Sequence, residues 1–199
     1  MWDFLAQNPL VLLIAACEVG FWVLLLAGLA ARYLLRARRL STVLLVGVPV
    51  LDVVLVTASL VDVAGGTPPG LTHGLAAAYL GCTVAFGHSL IRWADARFAH
   101  RFAGGSPPRK PPQFGAAKIA YEWREWAKMA LACAITLAVL FATATVAGTG
   151  VPPVLEWSGH PMWNWGARLT IVALVWFVGW PLRTTLVPPR SPEAVDAQR

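Results

Sequence analysis

Long apolar runs, separated by short polar or basic stretches, dominate this chain. A helix needs about 20 mostly apolar residues to cross a hydrocarbon core of about 30 Å. Five runs reach that length: 10–31, broken by Glu18; 40–63, with Pro49 and Asp52 inside it; 71–91, rich in Gly and Ala; 126–146; and 165–186, with Arg168 near its start. The pattern predicts an all-α, polytopic integral membrane bundle of five transmembrane helices. One domain, 1–187, takes in all five, and a polar tail, 188–199, follows it as a disordered segment.

The connections fit this reading. Residues 32–39 form a short basic turn, and Ala-Gly-Gly-Thr-Pro-Pro-Gly at 64–70 is a tight uncharged one, since Gly supplies unusual dihedrals and Pro ends helices. A cytosolic loop, 92–125, is rich in Gly and Pro between 104 and 115. Over 116–128 the sequence reads as an interfacial helix that feeds the fourth span, with Ile119, Trp123 and Trp126 on one face. No internal repeat stands in the chain, which argues against an inverted-repeat transporter built from one copy.

Charge sets the orientation. All but one of the 16 lysines and arginines fall on one side of a five-span arrangement, Arg168 being the exception. The positive-inside rule places that side in the cytosol, with the N-terminus outside and the C-terminus inside. The first residues lack the positive stretch of a cleavable signal peptide, and the basic cluster follows the first run, as in an uncleaved N-out helix. Trp93, Trp123 and Trp126 fall at the inner interface and Trp157, Trp163 and Trp165 at the outer one, as an aromatic belt requires. Trp22 and Trp176 lie deeper and call for a packing explanation.

Composition agrees with the pattern. Hydrophobic residues make up 57% of the chain and charged ones 13%, against about a quarter charged in soluble domains. The net charge of +6 would suggest nucleic acid in a soluble protein. Here the basic residues border apolar runs, where they serve topology and anionic headgroups, so the partner is the lipid bilayer and no nucleic acid is expected. A homo-oligomer or a larger membrane complex remains open as a further partner. Cys17, Cys82 and Cys133 all lie in apolar runs and read as packing residues. The excess of Arg over Lys and the high Ala content suggest a bacterial plasma membrane protein.

Helix packing should centre on the third span. Gly74, Ala78, Gly81, Ala85, His88 and Arg92 recur at alternating spacings of four and three, a seam along which another helix can approach closely. The seam ends on two polar residues, and His88 with Arg92 forms a candidate polar site at the cytosolic end. Inside the bilayer an acid costs about 2.5–3.5 kcal/mol and so faces the bundle. Asp52 lies three residues after Pro49, where proline frees a carbonyl that the acid can complement at an ion or proton site. Glu18 is the second intramembrane acid. Each has a structural alternative, a hydrogen-bonded carboxyl that locks helix pairing.

Asp62 and His73 flank the short outer turn. An Asp–His hydrogen bond clipping the hairpin is the structural reading, and an external proton or metal entry point the functional one. Glu122, Arg124, Glu125 and Lys128 could join Arg92, Asp95 and Arg97 in an interfacial salt-bridge network. No metal-ligand cluster or cofactor motif is present, and haem would need partner histidines that the other spans lack. No zinc-protease or serine-nucleophile motif occurs either, so catalysis is not expected. What remains is a ladder of polar residues across the membrane, which suggests proton- or cation-linked transport. The alternatives are a non-catalytic accessory or scaffold subunit and, least favoured, a haem-binding membrane redox protein.

Overall fold

A computed structural model describes residues 9–187 apart from 36, 103 and 109; the side chains at 9–11, 14, 18, 38, 49, 52 and 102 also lie outside what it describes. The tail 188–199 is outside it too. Five helices are long and apolar enough to cross a membrane. They comprise α1 (Pro9–Tyr33), α2 (Arg38–Ala64), α3 (Leu71–Phe102), α4 (Gly115–Val146) and a composite α5. This last begins as an α-helix, Asn164–Phe177, widens into a π turn, Val178–Leu182, and ends in a short helix, α6 (Arg183–Leu186). Among the described residues there are no strands.

Two expectations need correction. The segment 92–125 is mostly helix rather than loop: α3 runs unbroken to Phe102, and the true connection begins after it and ends where α4 starts at Gly115. Nor is 116–128 a separate interfacial helix, because it forms the first turns of α4. Each of these helices has 32 residues, about 48 Å of rise. That exceeds the hydrocarbon core by several turns, so charged turns continue the helix into the headgroup region instead of breaking it.

Small residues set the packing. On α1, Gly20 and Gly28 receive leucines from α2, and Gly47 of α2 receives Leu24 of α1. A Cβ at Gly20 would sit 3.0 Å from Leu51 Cδ1, and one at Gly47 3.0 Å from Leu24 Cδ1. This reciprocal glycine–leucine fit lets the two helices approach closely, as small residues do in lipid. The third helix touches α1, α2, α4 and α5, which makes it the central element. Against α4 it packs through Gly81, where a Cβ would lie 2.5 Å from the Ala132 carbonyl oxygen, and Thr136 Oγ1 donates to the Ala77 carbonyl at 3.3 Å.

The outer loop between α4 and α5 turns inward. Trp163 is 0% exposed, packed with Met162, Trp157, Leu140, Ala144 and Ala77. Trp157 lies 4.9 Å from the Trp163 ring, and its indole N–H donates to the Pro152 carbonyl at 2.9 Å. Two of the three tryptophans expected at the outer interface, Trp157 and Trp163, thus stack on each other and pack against α3 and α4. At the other end the π turn surrounds Pro181, which has no N–H and would clash in a regular helix. Widening the register relieves that clash.

Candidate functional site

Six residues stood out in the sequence, and the fold treats them in three ways. Asp62 and His73 meet. His73 Nδ1 accepts from the Gly70 backbone N–H at 3.2 Å, so the ring proton sits on Nε2, which donates to Asp62 Oδ2 at 3.1 Å. Thr67 Oγ1 donates to Asp62 Oδ1 at 3.1 Å. His73 is buried while the Asp62 side chain is 32% exposed, which places the clip at the mouth of the α2–α3 hairpin. Gly66, at φ +97°, makes the reversal that lets the clip close. Both ring nitrogens are committed within the hairpin, which leaves neither for a metal as the ring stands.

Glu18 and Asp52 come to one level. Their side chains lie outside the described residues, but their backbones belong to α1 and α2. Cys17 Sγ reaches the Leu51 carbonyl at 3.9 Å, and Gly20 faces the Leu51 side chain. With the Gly47–Leu24 contact these set the antiparallel register, which puts position 18 within about one helical residue of level with position 52. The two intramembrane acids thus share a depth on neighbouring helices.

His88 and Arg92 part from the seam. Ala78 and Ala85 are buried on it and Gly81 meets α4, but both polar residues are exposed. His88 opens on a groove of about 440 Å³ between α2 and α3, edged by Thr42, Leu45, Thr83 and Gly87. A straight helix drifts about 20° per seven residues relative to a 3.5-residue repeat, so the seam turns gradually around the helix along its length. The charges at this end form local pairs rather than one network. Asp95 accepts from Tyr33 at 2.9 Å and lies 3.6 Å from Arg32, tying α1 to α3. On α4, Lys118 pairs with Glu122, and Lys128 with Glu125 at 2.7 Å. Among the described residues no ion pair links the α3 charges to those of α4.

Over 135 residues, 67% of this chain and 72% of the relative, the sequence is 34% identical to the uncharacterized membrane protein YmcC of Bacillus subtilis strain 168. The chain belongs to the YmcC family. No family model matches it, and no solved structure does. Membership and the five apolar helices together make it a multi-pass membrane protein.

This YmcC-family chain also holds a cavity that sequence reading missed. Between α4 and α5, at the arginine-rich end, a space of about 660 Å³ is lined by Tyr121, Glu122, Glu125, Val175, Trp176 and Trp180. Glu122 is 5% exposed. Trp126 anchors the helix pair by donating to the Ala173 carbonyl at 3.0 Å, and Trp123 donates to Thr185 Oγ1 at 3.0 Å. Trp176, too deep for an interfacial belt, finds its role as a wall of this cavity. The available signal was Trp176 and Trp180 at helical spacing, but nothing local says that they face two glutamates 51 residues or more away.

Proposed function

We propose that this protein is a small proton- or cation-linked transport protein, or a subunit of one. It acts in the bacterial plasma membrane with its N-terminus outside and its arginine-rich end in the cytosol. The observation that carries the reading is the common depth of Glu18 and Asp52 on two packed helices. An acid inside a span is costly, and two of them at one level of packed helices is the setting in which ion and proton sites arise. Acids are rarely left in a span without such a role.

The test uses purified protein in vesicles with a trapped pH dye, an imposed pH gradient and the membrane potential clamped. The wild type should dissipate the gradient faster than protein-free vesicles. Asp52→Asn should lose that activity while inserting normally. Equal rates for the two would overturn the proposal.

One observation favours a second reading. The rim acids Asp62, Glu122 and Glu125 are already paired within the chain, as in an accessory subunit whose polar groups only fix helix contacts. On that reading Asp52→Asn lowers stability in detergent and recovery of a membrane partner, with no gradient-dependent flux in either protein.

A further inference from the structure

The cavity between α4 and α5 has the chemistry of a cation site. Its apolar wall comes from α5, whose Ile171, Val172 and Val175 are exposed. The opposite wall, from α4, supplies the carboxylates of Glu122 and Glu125. Tyr121, Trp176 and Trp180 add three aromatic rings. A volume of about 660 Å³ falls within the range of small-molecule sites, which are apolar with a few placed polar groups.

Two acids and three aromatic rings favour positive charge, since ring faces attract cations and most strongly in Trp. Lys118 and Lys128 do not line the cavity, yet each already gives its ammonium to one of these carboxylates. Both lysine side chains are at least a fifth exposed, at 25% and 21%, so each can release its partner into water when another cation arrives. The widened turn around Pro181 carries Trp180 on this side of the helix.

We propose that this cavity binds a lipophilic cation, with the apolar body against Ile171, Val172 and Val175 and the positive charge held by Glu122, Glu125 and the two tryptophans. The site is separate from the level of Glu18 and Asp52, and its occupancy does not depend on flux. Tetraphenylphosphonium and tetraphenylborate, matched in size and opposite in charge, are the probes. Binding is measured by equilibrium dialysis of the purified full chain in an uncharged detergent, with protein-free micelles as the reference. The cation should bind at least about tenfold more tightly than the borate, because the carboxylates attract one charge and repel the other. Glu125→Gln should weaken cation binding about tenfold, and Trp180→Ala by a few fold. Glu122→Gln should act as Glu125→Gln does; should it not fold, Glu125→Gln and the comparison of the two ions in the wild type decide alone. Equal binding of the two ions, or a Glu125→Gln variant that binds the cation as the wild type does, would overturn the site.

Discussion

A single methyl group added to Gly81 tests whether α3 is the keystone of the bundle. A Cβ there would lie 2.5 Å from the Ala132 carbonyl oxygen, nearly an ångström inside ordinary contact, and would also crowd Thr136 Oγ1. The obstacle is backbone in the middle of α4, so no rotamer change relieves it and the helices must part. Overpacking of this kind costs about 1–3 kcal/mol. Gly81→Ala also gains about 0.5–1 kcal/mol of helix propensity, which would blur a single measurement. Gly87→Ala supplies the reference: the same helix and the same propensity gain, with the nearest neighbour, Thr83 Cγ2, at an ordinary 3.7 Å. Propensity cancels between the two variants and leaves a gap of about 1–3 kcal/mol. Both proteins would be titrated with sodium dodecyl sulfate in one uncharged detergent and followed by loss of helical circular dichroism. Coincident midpoints would refute the close approach of α3 and α4, and with it the central place of α3.

Other substitutions probe the remaining contacts by the same titration. His73→Ala removes the acceptor of the Gly70 N–H and the donor to Asp62 Oδ2, leaving Asp62 only Thr67, and should cost about 1–3 kcal/mol, whereas Asp62→Asn keeps an acceptor and should cost less; the reverse order would contradict the hairpin clip. Thr136→Val removes the bond to the Ala77 carbonyl and should cost about 0.6 kcal/mol, the usual worth of a side-chain bond between membrane helices. Trp163→Ala removes a fully buried ring and should cost about 3–5 kcal/mol, while an interfacial tryptophan would lose far less.

Much of this architecture was present in the chain before any folding. Apolar runs of spanning length, bounded by arginines, require five membrane helices, because lipid offers the backbone no other hydrogen-bond partner. The Asp62–His73 clip was legible for a similar reason: both residues border a turn too short to separate them. Local pattern and local geometry settle features of that kind.

Three things waited for the tertiary structure. The register of α1 on α2, which levels Glu18 with Asp52, depends on which leucine enters which glycine notch. The departure of His88 from the seam depends on how far α3 stays in contact with α4. The aromatic and acidic cavity joins residues far apart in the chain, on two helices whose lipid-facing surfaces are equally greasy. In a bilayer, apolarity no longer distinguishes inside from outside, so hydrophobic pattern finds the helices but does not say which faces meet. Steric fit between small and large side chains makes that choice, and it exists only once the helices are side by side.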